Sequence, residues 1–263
     1  MHARAEVRYN CPSMAAPDPL TRPALVAEQR AAPPFGGRTF AADEPAVRVG
    51  VTGSGADLLL LAWTAPDLAR EIEAGVRLFG RLGVRAGMRV ANTLPGALAT
   101  PGALLLGDVS EAIGALDVPL GTADADPAAK AAWELLDRVR CQILVADPAT
   151  APRLFGMMPS GERPWLEGIV WLWRAGAVPA VEVPPSFAGW QRRWFAVPEV
   201  ASFAGATCAG GGLHVDEALE ATLREGTLVL ARREHDGRPY ATALAARLEP
   251  RCPCGVPGFV LDA

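Results

Sequence analysis

Three cysteines and one histidine in the last third of the chain have the spacing of a metal site. Cys208 and His214 are separated by five residues that include three successive glycines, and Cys252 and Cys254 follow in the segment CPCG. Three thiolates and one imidazole complete a tetrahedral zinc shell, and glycine lets the backbone bend enough to aim them. The pattern predicts a structural zinc site, with reduced cysteines that bind no metal as the alternative.

A hydrolytic zinc centre is a second interpretation of the same residues. If one of the four ligands were not used, a zinc-bound water could lie near Asp216 or Glu217, which follow the histidine. His214 could not itself act as a base while it ligates zinc.

A second candidate site is a loop of small residues between two apolar runs, formed by Thr52, Gly53, Ser54 and Gly55. Such a loop offers backbone N–H groups and a hydroxyl to an anion, as phosphate-binding loops do. Asp57 follows, however, and its charge repels a phosphate where a lysine would attract one. A glycine hairpin without a ligand is therefore the competing interpretation. The single lysine of the chain, Lys130, is expected on a solvated helix surface.

The elements around the loop alternate between strand and helix. The run over residues 46–64 predicts two strands joined by a glycine turn, and Thr64 with Asp67 has the signature of a helix capping box. Strands over 88–93, 118–120 and 141–146 are separated by helices over 102–116 and from residue 126. This order predicts an α/β fold with a mixed, largely parallel sheet and flanking helices. Beyond residue 208 a small β-rich subdomain with the zinc site is expected.

The chain is expected to divide into three parts. Residues 1–45 form a Pro/Ala-rich arm with one short helix near 24–31, residues 46–205 form the α/β core, and residues 206–263 form the β-rich, zinc-binding part. Five tryptophans lie between residues 165 and 194. Such clustering indicates a core or a subunit contact, with an aromatic substrate pocket as the alternative.

Composition excludes several classes of partner. The chain has 263 residues, 50% of them hydrophobic, and a net charge of −4 without a basic tract, which argues against nucleic-acid and anionic-membrane partners. The first residues lack the apolar core of a signal peptide, and the longest wholly apolar run, 58–63, is too short to span a bilayer. A cytoplasmic location is expected.

Several segments together resemble the phenylacetate–coenzyme A ligase branch of the adenylate-forming, AMP-binding enzymes. They are AAPPFGGRTFA, VTGSGADLLLLAWT, GVRAGMRV, ATPGALLLGDVSEAIGALDVPL, RCQILVADPATAPRL, FAVPE, GGLHV and CPCG. The resemblance covers the chain from about Pro33 to Gly255 and implies the α/β fold of that family. In this branch, cysteines and a histidine in matching places look like a zinc site, which supports the four ligands named above.

The resemblance also implies that the nucleotide chemistry is degenerate. It places the family's phosphate loop on residues 51–57 with Asp57 at its lysine, and the glutamate that helps hold magnesium on Glu199. No acid lies at 243–245, where the ribose-binding aspartate is expected. The family's separate C-terminal domain, which supplies a second catalytic lysine, is expected to be absent. ATP and magnesium are therefore not expected as cofactors.

The resulting hypothesis is a ligase homologue that has lost ATP-dependent adenylation. It would bind or act on an acyl or aromatic carboxylate or thioester in a biosynthetic pathway, with Glu199 and Ser54 as candidate catalytic groups beside a vestigial phosphate loop. One alternative is a non-catalytic scaffold that pairs with an active enzyme, or a homo-oligomer, through the tryptophan-rich segment. Another is residual aryl- or acyl-CoA ligase activity.

Overall fold

The computed structural model describes residues 18–36, 44–95, 101–174, 182–232 and 238–261. Most of the expected N-terminal arm, residues 1–17 and 37–43, therefore lies outside the described residues. The helices are α1 Arg22–Ala31, α2 Ala65–Arg81, α3 Pro101–Ile113, α4 Asp126–Val139 and α5 Ala151–Gly156. The strands are β1 Arg48–Thr52, β2 Leu59–Trp63, β3 Arg89–Asn92, β4 Leu116–Pro119, β5 Ile143–Ala146, β6 Gly168–Arg174, β7 Trp190–Val197, β8 Ala201–Thr207, β9 Leu213–Val215, β10 Leu219–Arg224, β11 Thr227–Arg232, β12 Tyr240–Glu249 and β13 Gly258–Leu261.

The predicted hairpin and capping box are both confirmed. Strands β1 and β2 pair antiparallel, and a 3-10 turn, Gly55–Asp57, lies between them. At the start of α2, Thr64 accepts a hydrogen bond from the backbone of Asp67, whose carboxylate accepts one from the backbone of Thr64. This exchange satisfies two of the N–H groups that a helix start leaves unpaired.

One sheet of eleven strands runs through the described part of the chain, in the order β10-β11-β12-β13-β9-β8-β7-β6-β5-β3-β4. Strands β4, β3, β5, β6 and β7 are parallel to one another, whereas β8 pairs antiparallel with β7 and the strands from β8 to β13 pair antiparallel with each other. The predicted mixed sheet with a β-rich C-terminal part is thus confirmed. The C-terminal strands extend the same sheet, and the division into three parts stays a prediction.

The pairing between β13 and β9 is the shortest in the described sheet. Strand β13 pairs with β12 through four successive residues but with β9 through the single described pair Phe259 and Leu213. Leu213 directly precedes His214, so this narrow join lies beside the predicted metal ligands.

Three of the five clustered tryptophans lie in the core, as one of the two interpretations predicts. Trp173 and Trp194 are at most 1% exposed, and Trp171 is buried as well. Trp194 stacks on Phe203 with ring centroids 4.9 Å apart, a favourable offset contact between aromatic rings. These three buried side chains are accordingly not displayed on a contact surface.

Two expectations about elements need correction. The helix predicted over 102–116 ends at Ile113, because Gly114 takes a left-handed φ of 79° and the chain turns directly into β4. Strands β7, β8 and β9 were not expected. Among the described helices, none is both long and apolar enough to cross a membrane.

Candidate functional site

The four predicted metal ligands converge. The sulfurs of Cys208, Cys252 and Cys254 and a ring nitrogen of His214 all lie within 4.8 Å of one another. The sulfurs of Cys208 and Cys252 are 3.4 Å apart, and the sulfur of Cys254 is 3.2 Å from Nε2 of His214. Ligand atoms on a tetrahedral zinc with bonds of about 2.0–2.3 Å are separated by roughly 3.5 Å. The cluster therefore has the dimensions and donor set of a metal centre.

Two turns and a strand position these ligands. Cys208 follows β8, His214 lies in β9, and the two remaining cysteines lie in the turn between β12 and β13. The backbone N–H of Cys208 donates to the carbonyl of Gly212 at 3.0 Å, which closes the glycine turn. A Cβ on Gly212 would lie 2.8 Å from the Cys252 sulfur. Glycine is thus needed there because the two turns approach so closely.

The backbone also orients the histidine. Nδ1 of His214 lies 3.1 Å from the carbonyl oxygen of Pro257, and a hydrogen bond there requires the proton on Nδ1. This arrangement leaves the Nε2 lone pair directed at Cys254. Metal-binding histidines characteristically make such a second hydrogen bond, which fixes ring and tautomer.

Cys208 is prepared to act as a thiolate. Burial opposes ionisation of its thiol, but hydrogen bonds with His214, Cys252, Cys254 and the Gly210 amide outweigh burial and lower its pKa to about 6. Metal ligation requires the thiolate form, so the surroundings of Cys208 favour the state that binds a metal, whereas the pKa of the neighbouring Cys252 thiol is raised.

The acids proposed for a hydrolytic centre are engaged elsewhere. Asp216 accepts two hydrogen bonds from Arg77 of α2, at 2.8 and 3.1 Å, and a third from the backbone of Ala218. Glu217 is 70% exposed and lies 3.4 Å from the same arginine. With four protein ligands assembled, the geometry favours a structural site over a catalytic one.

The small-residue loop surrounds the side chain of an arginine of α1, Arg22. Nη2 of Arg22 donates to the carbonyls of Thr52 and Asp57, at 2.8 and 2.7 Å, and its Nε donates to the Asp57 carboxylate at 2.7 Å. Its Nη1 donates to the carboxylate of Glu199. The two positions that the resemblance assigns to nucleotide and magnesium binding are therefore joined through one guanidinium.

The buried carboxylate of Glu199 is paired with this guanidinium. Its side chain is 5% exposed, and a carboxylate at that depth needs a counter-ion. Tyr240 lies against it: burial, the charge of Glu199 and a hydrogen bond to that carboxylate raise the pKa of the tyrosine well above its ordinary value. Tyr240 therefore stays a neutral hydrogen-bond donor.

The remaining loop residues have mainly backbone roles. Gly53 and Gly55 take left-handed φ angles of 76° and 55°, and the carbonyl of Ser54 accepts from the Asp57 amide at 3.0 Å. Ser54 is exposed, and the catalytic role assigned to it with Glu199 stays a prediction. Lys130 is exposed on α4, as expected.

Sequence reasoning missed Arg22 and Tyr240. Arg22 lies in a Pro/Ala-rich stretch expected to be mostly irregular, and 177 positions separate it from Glu199. Only the isolated carboxylate of Glu199, within an apolar segment, indicated that a distant cation was needed.

Solved structures of acyl- and aryl-CoA ligases share this fold. 2-Hydroxyisobutyryl-CoA ligase in complex with 2-HIB-AMP and CoA superposes with a TM-score of 0.77 at 16% identity, over 93% of this chain and 62% of that chain. The N-terminal domain of FACL13 from Mycobacterium tuberculosis gives 0.58 at 16% identity, over 85% and 63%. O-succinylbenzoate coenzyme A synthetase from Bacillus subtilis, in complex with AMP, gives 0.57 at 11% identity, over 83% and 49%.

These likenesses confirm, for the fold, the resemblance to adenylate-forming enzymes. The chain spans less than two thirds of the length of these structures. No family model and no curated protein matches the sequence.

Proposed function

We propose that this protein is an adenylate-forming-superfamily homologue that no longer activates carboxylates with ATP, and that binds or acts on an acyl or aromatic carboxylate or its thioester. The substrate class is suggested by the neighbours, since one of them holds an acyl adenylate together with CoA. The observation that carries the loss of adenylation is the placement of Arg22 between Asp57 and Glu199.

The charge balance of this cluster supports the proposal. Phosphoryl and adenylyl transfer need cations, from lysine, arginine or magnesium, where negative charge develops. Here the guanidinium of Arg22 is engaged by two carboxylates, those of Asp57 and Glu199, and is therefore not available to a phosphate. The carboxylate of Asp57 would repel a triphosphate, and Glu199 would have to leave its ion pair before it could hold magnesium.

We also propose that the cluster of cysteines and histidine is a structural zinc site. Three thiolates and an imidazole favour zinc over magnesium or calcium, which prefer oxygen ligands. A bound zinc would cross-link two turns and would take no part in acyl chemistry. Reduced cysteine ligands are maintained in the cytoplasm, which is the location we propose.

Calorimetry and a product assay test the proposed function. We expect no saturable binding of Mg-ATP by the zinc-loaded protein and no pyrophosphate release with a panel of aliphatic and aromatic carboxylates. We expect at least one carboxylate, or its CoA thioester, to bind without nucleotide. Carboxylate-dependent pyrophosphate release would disprove the loss of adenylation, and failure of all carboxylates and thioesters to bind would disprove the proposed ligand class.

A further inference from the structure

The acceptors around Arg22 form a nearly complete shell for one guanidinium group. Two backbone carbonyls, of Thr52 and Asp57, and two carboxylates, of Asp57 and Glu199, accept four hydrogen bonds from it. A guanidinium has five N–H donors in a fixed planar fork. The shell thus matches the shape of this ion as well as its charge.

The absence of a side chain at residue 53 creates room for this ion. A Cβ on Gly53 would lie 2.2 Å from Nη2 of Arg22 and 2.3 Å from the carbonyl oxygen of Asp57. A Cβ on Gly55 would meet nothing within 4 Å. Of these two glycines in one loop, only the first therefore makes space for the guanidinium.

The polarity of the loop is the reverse of that in a phosphate cradle. A phosphate cradle directs backbone N–H groups at an anion. In this loop, carbonyl and carboxylate oxygens are directed at a cation. The geometry and the charge both select against an anionic ligand at this point.

We propose that the Thr52–Asp57 turn and Glu199 together form a binding site for a guanidinium ion, which Arg22 fills from within the same chain. With Arg22 in this site, α1 is held against the β1–β2 hairpin, and two further contacts strengthen this packing. Gln29 exchanges hydrogen bonds with the backbone of Leu60 at 2.8 and 2.9 Å, and Arg30 donates to the carbonyl of Ala56. The proposal rests on the proposed function in one respect, namely that the loop no longer binds phosphate.

Chemical rescue tests this site. The Arg22→Ala variant should melt at a lower temperature than the wild type, and methylguanidinium chloride at low millimolar concentration should restore at least half of the difference along a saturable curve. The same additive should not raise the melting temperature of the wild type or of Arg30→Ala, which removes a neighbouring arginine of α1. The melting temperature of Arg22→Lys should lie between those of the wild type and Arg22→Ala, because an ammonium cannot reach all four acceptors.

Two results would overturn the binding site. One is that methylguanidinium stabilises Arg22→Ala no more than it stabilises the wild type; the other is that pyrophosphate rescues the variant equally well. If Arg22→Ala does not fold, the site is tested instead by NMR, from the arginine Nε–H resonances of the wild type. One slowly exchanging resonance should then be lost in Arg22→Lys, and its persistence would contradict the proposal.

The outcomes separate this inference from the proposed function. Binding of Mg-ATP by the wild type would disprove the loss of adenylation, whatever methylguanidinium does. Failure of rescue in a folded Arg22→Ala, with no binding of Mg-ATP by the wild type, would disprove the guanidinium site alone.

Discussion

Arg22 and Glu199 are 177 positions apart in the chain and form an ion pair in which the carboxylate side chain is 5% exposed. Removal of one member leaves a buried, uncompensated charge. Arg22→Ala should therefore lower the free energy of unfolding by about 3 kcal/mol, as measured by urea denaturation. Glu199→Ala in that background should restore part of the loss, with a coupling energy of about 1 kcal/mol or more. Simple additivity of the two substitutions would contradict the pairing.

The two loop glycines allow a matched comparison. Gly53→Ala should destabilise the protein clearly more than Gly55→Ala, although both residues have positive φ. The second change carries only backbone strain, of about 1 kcal/mol, whereas the first adds a steric conflict with Arg22 and the Asp57 carbonyl. Equal melting temperatures for the two variants would show that the guanidinium does not lie against residue 53.

Metal analysis by mass spectrometry checks the cysteine cluster. The wild type purified without chelators should contain about one zinc per chain, and Cys252→Ala should contain close to none. Cys141→Ala is the matched control, because Cys141 is a buried cysteine outside the cluster and its loss should leave the metal content unchanged. A wild type without metal would remove the site.

The capping box of α2 should contribute measurably to stability. Thr64 is fully buried and accepts from the Asp67 amide, so Thr64→Ala should cost about 1–2 kcal/mol in chemical denaturation. Thr21 holds the equivalent position before α1 without a side-chain cap hydrogen bond. Thr21→Ala should accordingly cost much less, and similar costs for both variants would contradict the role of the box.

Asp117 should make stability depend on pH. Burial raises its pKa, the hydrogen bond from Asn92 lowers it in part, and the charge of Glu111 raises it further. Because its pKa is higher in the folded than in the unfolded state, the folded state holds its proton more tightly, and stability falls as pH rises above about 4. Asp117→Asn should raise the melting temperature at pH 7 but hardly at pH 3.5.

Asn92→Ala provides the opposite test. It removes the hydrogen bond that favours the Asp117 carboxylate, so the loss of stability between pH 4 and 7 should become steeper. The same pH dependence in Asn92→Ala as in the wild type would show that this hydrogen bond does not lower the pKa of Asp117.

Local patterns predicted local structure well. The hairpin, the capping box of Thr64 and the helices α2 and α4 follow from period, cap and turn residues that lie within a few positions of one another. The convergence of Cys208, His214, Cys252 and Cys254 was also predicted from sequence, because few side chains other than cysteine and histidine bind zinc and their spacing around glycines is distinctive.

Long-range partnerships were not predicted. Nothing near Arg22 indicates that its guanidinium meets Asp57 and Glu199, since that contact depends on how α1 packs against the hairpin. Strand β8 was also missed. Its sequence, ASFAGAT, is small and buried along its whole length, so it lacks the alternation that identifies a strand with one solvated face.

The narrow join between β13 and β9 has a consequence for the lifetime of the protein. With one described ladder pair there, β13 would separate easily from β9, together with the strand β12 that it pairs with, if the proposed zinc site beside it were empty. The CPCG turn would then be open to proteases, which cleave chains where they detach locally. Scarcity of metal in the cell would in this way shorten the survival of the chain without any change in its amino acids.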